Sequence, residues 1–328
     1  MFAGQLNKGF RGSLVLIILI FAVSQILNYL ALNPLEQEYY PNLFYNYFTH
    51  AISGKLLINL INFAFIALAL VLVNQITAAQ EIVEKQNYFP VFLFLLLSVV
   101  GANPVQISSQ IFTNVFVLYA IYKLLATYRK EEVLKQIFEA AFWISVSAFI
   151  TISSIISVPL FFVILLVLRP FHWREWVIAL LGFFVPIFIY ESMAYLSDFN
   201  QWYILDATAL YFRSLKVPSF SEYFIPLSAA LFLLLFISIL HNLMRGFGTT
   251  VKKQRMKAIL LWFLFFSTFG FFSGGANSSS IILTYAFPLS FFIGDFLFRL
   301  KQLKITNTIL VLLVLCALVV FAGRLGMI

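Results

Sequence analysis

Between Lys304 and Arg324 the chain carries no charge, and "ILVLLVLCALVVFAG" (309–323) is apolar from end to end. A helix apolar on every side has no stripe to turn towards water, so protein core or lipid must solvate it. Runs of this kind recur along the whole chain. Composition decides between the two solvents. Of 328 residues 62% are hydrophobic and 10% charged, against about 25% charged in a soluble domain. Phenylalanine alone occurs 40 times. No water-soluble fold of this size hides so much apolar surface. The sequence predicts an all-α, polytopic integral membrane protein forming a single membrane-embedded domain.

A spanning helix takes about 20 apolar residues at 1.5 Å rise, fewer where neighbours bury it. That ruler predicts eleven spans: 13–32, 55–77, 89–103, 109–127, 137–152, 154–169, 175–196, 224–243, 257–273, 279–298 and 304–323. The first is too long in its apolar core for a cleavable signal peptide, and no small-x-small site follows it. With the N-terminus cytoplasmic, all of the 21 lysines and arginines except Lys55, Arg213, Lys216 and Arg324 fall inside. The net charge of +8 is therefore an orientation signal and gives no reason to expect a nucleic-acid partner. Cys316, the single cysteine, excludes an intramolecular disulfide. His50, His172 and His241 lack metal-ligand spacing. No metal or cofactor is called for.

"RPFHWREW" (169–176) is expected as a cytoplasmic turn, with Trp173 and Trp176 in the aromatic belt and Arg169 and Arg174 near lipid phosphate. "MRGFGTTVKKQRMK" (244–257) is a second basic turn, suited to anionic lipid or a partner. On the opposite side, three tips are polar and nearly uncharged: "GANPVQISSQ" (101–110), "TISSIISVP" (151–159) and "SGGANSSS" (273–280). Backbone loosened by glycine and proline must face protein or a wet cavity in a membrane. The tips are thus expected to converge on one outward depression. Two readings stay open for it. Small residues permit close helix packing; alternatively Asn103, Gln106, Ser108, Ser153, Asn277 and Ser278 bind a neutral polar group such as a sugar.

Intramembrane charge is scarce, which argues against ion-coupled transport. Asp295 and Arg299 fit an i,i+4 pair, as do Lys135 and Glu139. Asn59 and Asn62 share a helix face and suit interhelical bonds. Two outward loops remain. "NPLEQEYYPNLFYNYFTHA" (33–51) holds Glu36 and Glu38, with aromatic residues after Pro41 spaced for an interfacial helix. The loop at 197–224 carries Arg213 and Lys216, with a helical stretch expected around 203–215.

The segment "FITISSIISVPLFFVILLVLRPFHWREWVIALLGFFVPIFIY" (149–190) resembles part of the GT-C membrane glycosyltransferases. Two short spans with a proline-marked tip precede a basic turn and a further span. The layout is also similar: one N-terminal span, then an outward loop with acidic residues. The chain resembles, too, a family of bacterial inner-membrane proteins of similar length. The GT-C resemblance implies a helical bundle and transfer of a sugar from a polyprenyl-phosphate carrier, with Glu38 or Glu36 as catalytic base. Arg213 or Lys216 would then stand near the leaving phosphate. The alternatives are a non-catalytic subunit or scaffold of an envelope complex, with membrane-protein partners, and a transporter of lipid-linked substrate. All three place the chain in a bacterial inner membrane, among its lipids.

Overall fold

A computed structural model describes residues 55–79, 87–102, 108–196, 222–244, 251–271, 278–300 and 302–324, together with Ala209 and Arg213. The described residues form ten α-helices: α1 (Lys55–Ala79), α2 (Phe89–Gly101), α3 (Ser109–Leu125), α4 (Leu134–Ile150), α5 (Ser157–Leu168), α6 (Trp173–Leu196), α7 (Ile225–Met244), α8 (Val251–Phe271), α9 (Ser278–Arg299) and α10 (Leu303–Arg324). Single-turn 3-10 segments, Ile152–Ile156 and Glu222–Phe224, precede α5 and α7. Five stretches are long and apolar enough to cross a membrane: Leu56–Ala78, Trp173–Met193, Glu222–Asn242, Ile282–Arg299 and Leu303–Gly323. The chain is a multi-pass membrane protein. The expected span at 13–32 lies outside the described residues, and of the other ten expected spans five coincide with helices that meet the length and apolarity requirements on their own. Phe89–Gly101, Ser109–Leu125 and Ile152–Leu168 are apolar but shorter.

The shortness of α2 has a packing reason. Its 13 residues make about 20 Å of helix, and every one of them is buried. This helix is solvated by protein on all sides and has no need to match lipid thickness. It starts where Asn87 Oδ1 accepts the N–H of Phe89 at 2.9 Å, and Pro90 in the first turn wastes no helical donor. It lies chiefly against α9, with α1 and α10 also touching it. The α9 span is 78% buried, against 22–33% for the other four spans. The pair α2–α9 is therefore the centre of the bundle.

Gly294 sets their spacing: a Cβ there would sit 2.8 Å from the ring and backbone nitrogen of Pro90. Gly182 does the same for α6 on α4, where a Cβ would meet Ala141 Cβ at 2.7 Å and the Phe138 carbonyl at 2.8 Å. Small residues at such crossings let helix backbones approach where lipid supplies no hydrophobic drive. Hydroxyls and amides then bond across. Ser145 Oγ donates to the Phe183 carbonyl at 2.9 Å, three residues before the Pro186 inside α6. Asn114 Nδ2 donates to Leu283 O at 2.9 Å, joining α3 to α9. Ser238 Oγ donates to Phe292 O, joining α7 to α9. Aromatic rings fill the remaining seams, as in the stacks Phe65–Phe112 between α1 and α3 and Phe116–Trp143 between α3 and α4.

These crosslinks fix an alternating course. The starts of α1, α3, α5 and α9 lie at the same end as the finishes of α2 and α4. The turn after α3, the turn after α5, the start of α8 and the finish of α9 gather at the other. One end is rich in hydroxyls and amides, the other in cations.

Candidate functional site

At the hydroxyl end the described parts of the first two tips come together, and most of the third, 273–280, lies outside the described residues. Thr113 Oγ1 gives its proton to Ser109 O at 3.0 Å and accepts from Thr151 Oγ1 at 2.5 Å. This binds the start of α3 to the finish of α4. Ser154 Oγ donates to Thr151 O at 2.8 Å, and Ser147 Oγ lies 3.1 Å from Ser154 Oγ. Gln110 Nε2 reaches Asn114 Oδ1 at 3.5 Å, and Asn114 carries the link on to α9. Asn62 Oδ1, on α1, accepts the N–H of Ser108 at 3.1 Å. Ser108, Ser109, Gln110, Thr113, Thr151 and Ser154 are all buried. Apart from the Ser108 hydroxyl they form a satisfied network inside the bundle, so the polarity of these tips is spent largely on joining helices.

Two atoms stand apart. Ser108 is fully buried, and its Oγ finds no hydrogen-bond partner among the described residues. Asn59 Nδ2 is likewise buried without one, one turn before Asn62 on α1. Of the other expected site residues, Ser153 is half-buried on the 3-10 turn before α5. Ser278 begins α9, and Arg213 is helical and exposed. Glu36, Glu38, Asn103, Gln106, Lys216 and Asn277 lie outside the described residues. Most of the helix expected at 203–215 does too, although Ala209 and Arg213 are both helical.

The opposite end is built on guanidinium groups that sequence spacing did not single out as structural. Arg169 Nε lies 3.0 Å from Glu175 Oε1, with both side chains largely buried. Its Nη1 donates to the carbonyls of Thr127, at 3.0 Å, and Lys130. Those carbonyls belong to a turn in which Arg129 has φ 57°, the left-handed conformation that reverses a chain after a helix. Arg255 Nη1 donates to the last carbonyl of α5, Leu168 O, at 2.9 Å, while its guanidinium lies over the Tyr128 ring. A cation at a helix C-terminus also opposes the negative end of the dipole. Arg169 and Arg255 thus clasp the α3–α4 turn, the α5–α6 turn and α8. "RPFHWREW" is a folded corner, and only its Pro170–Arg174 portion is exposed.

The remaining described ion pairs are structural as well. Arg299 Nε faces both carboxylate oxygens of Asp295 at 3.0 Å, the i,i+4 pair expected. Glu139 pairs with Lys123 across α3–α4 at 2.7 Å, where spacing had suggested Lys135. Among the described residues no cluster of His, Cys, Asp and Glu could hold a metal. No family model, curated protein or solved structure matches the chain.

Proposed function

We propose that the chain is a non-catalytic multi-pass subunit, a helical body that holds a membrane complex together. The observation behind this reading is the fate of the polar tips. A sugar-binding or transport site needs polar groups with bonding capacity left for the ligand. Here Thr113, Thr151, Ser154 and Asn114 spend theirs on neighbouring helices. Buried charge is likewise matched internally, as in Arg169–Glu175. Purification from membranes in mild detergent, followed by mass spectrometry, tests the reading. It requires a second protein in fixed stoichiometry; a chain that purifies alone from its native membrane overturns it.

A second reading, transfer of a sugar from a polyprenyl-phosphate carrier, is favoured by one observation: the buried Ser108 hydroxyl without a partner. In that reading Ser108 holds a sugar hydroxyl, Glu38 or Glu36 removes the acceptor proton, and Arg213 or Lys216 faces the phosphate. Glu38→Gln keeps the shape and removes the base, so transfer falls about a hundredfold or more. Glu36→Gln and Glu38→Gln, separately and together, leaving transfer intact would end this reading.

A further inference from the structure

The seam between α3 and α4 is an outer face of the bundle. Phe112, Phe116 and Tyr119 on α3 and Trp143, Val146 and Ile150 on α4 are half-exposed along it. Polar groups bound this apolar band at both ends. At the cation end stands the Lys123–Glu139 pair, whose side chains are 24% and 27% exposed. A lysine near a helix end ordinarily reaches along its stem to water. Here the ammonium is held on Glu139 and beside the ring of Tyr119, one turn back along α3, so the charge stays at that depth. Glu139 itself lies more than a turn into α4, which begins at Leu134. At the hydroxyl end α4 stops at Ile150, and Thr151 is extended at φ −135°, ψ 119°. The chain then doubles back, so that Ser154 Oγ lies 3.1 Å from Ser147 Oγ. Ser153 and Ser157 are half-exposed beyond that turn. Non-helical backbone of this kind does not face hydrocarbon.

The band between these limits is short. From Glu139 to Thr151 the axis of α4 advances about 18 Å, and from Ser109 to Lys123 that of α3 advances about 21 Å. The hydrocarbon core of a bilayer is about 30 Å thick. Elsewhere on the perimeter the match is close. The spans Leu56–Ala78 and Leu303–Gly323 have 23 and 21 residues, about 30–35 Å of helix, and both present exposed leucines. Burial on all sides excuses α2 from matching the lipid, but the α3–α4 seam is open. A bilayer meets too short a span by thinning beside it. We propose that the bilayer is thinned along the α3–α4 flank, where the protein gathers phospholipids with short acyl chains. Headgroups of one leaflet sink to the Lys123–Glu139 pair and those of the other to Ser153. The inference is independent of the subunit reading.

The first test uses the full chain in mild detergent, mixed with equal amounts of dimyristoleoyl- and dioleoyl-phosphatidylcholine and read by native mass spectrometry. The shorter lipid is retained in preference. Lys123→Leu with Glu139→Leu extends the apolar band towards the helix ends, an exchange of ion pair for apolar groups that folds often tolerate, and most of the preference is lost. Equal retention by the unaltered chain overturns the proposal, as does a double variant, running as a single species on size exclusion, that keeps the preference. The second test leaves the pair in place. In a Cys316→Ala background reconstituted in dioleoyl-phosphatidylcholine vesicles, spin labels are attached at Val146→Cys, Ile150→Cys or, on exposed α10, Leu315→Cys. Ile150 is as far from Glu139 as Leu315 is from Lys304, about 16 Å along the helix. Oxygen, which concentrates in hydrocarbon, relaxes the Val146 and Leu315 labels more than a water-soluble nickel chelate does, and the order is reversed at Ile150. Oxygen in excess at Ile150 as well means a bilayer of even thickness and overturns the proposal. A Val146 label that neither reagent reaches means a flank covered by protein, and overturns it too.

Discussion

Arg169 and Glu175 close an ion pair across the α5–α6 turn, Nε to Oε1 at 3.0 Å, where neither side chain is more than 12% exposed. The pair decides which way the chain leaves α5. Pro170 forces Arg169 out of helical geometry, and Arg169 is extended at φ −136°, ψ 147°. Its guanidinium is thereby turned back onto the α3–α4 corner.

Glu175→Gln therefore leaves a buried guanidinium without its counter-charge. The expected loss is about 3 kcal/mol, read as a lower thermal midpoint of the detergent-solubilised protein. Arg169→Met with Glu175→Leu removes both charges and recovers most of the loss, although the Thr127 and Lys130 carbonyls lose their donor. A single variant as stable as the parent would show that the pair is solvated and structurally idle.

Gly294→Ala drives a methyl group into Pro90, whose backbone nitrogen cannot move without shifting α2. Overpacking of this kind costs about 1–3 kcal/mol, and Gly182→Ala acts similarly through the Phe138 carbonyl. Leu312→Ala, on an exposed face of α10, serves as the comparison and changes the midpoint little. Equal midpoints for Gly294→Ala and the parent would mean that α2 and α9 are not in close contact.

The helices were legible in the sequence because the lipid ruler and the real helices share one cause, long uncharged runs. Boundaries predicted for 55–77 and 304–323 lie within two residues of α1 and α10. The start of α8 was not legible. A ruler for apolar residues begins at Lys257, yet the helix begins at Val251, because lysine and arginine are good helix formers whose heads reach water. The partner of Glu139 was misjudged for a different reason. Spacing along one helix favours Lys135, whereas Lys123 comes from the neighbouring helix, and only packing reveals it. That the tips at 101–110 and 151–159 meet could be read from their hairpins. Where their hydroxyls point could not, because that depends on how the helices are rotated against one another.

Orientation has its own test. The cationic turns gather at one end and the hydroxyl-rich helix ends at the other, so the positive-inside rule predicts residues 245–250 inside and residues 197–221 outside. In a Cys316→Ala background, Thr208→Cys reacts with a membrane-impermeant thiol reagent applied to intact cells, and Thr250→Cys reacts only after lysis. The reverse pattern would invert the topology.

The bond between Thr113 and Thr151 separates a packing role from a binding role at the hydroxyl end. Both side chains are buried, and Thr113 already donates to Ser109 O. Thr113→Val removes the acceptor for Thr151 and leaves a buried hydroxyl unpaired, at about 1–3 kcal/mol. Thr151→Val removes only the donor, and Thr113 keeps its backbone bond, so its cost is smaller. The double change removes both polar ends while nearly conserving shape, and it is less destabilising than the sum of the single changes. The coupling in such a cycle is about 0.5–3 kcal/mol for groups in direct contact, measured as the non-additive shift in midpoint. If the hydroxyls serve only to join α3 to α4, the double variant still assembles with its partner protein at full occupancy. If it is as stable as the parent yet loses its biological effect, these hydroxyls meet a ligand, and the subunit reading gives way to the sugar-transfer reading.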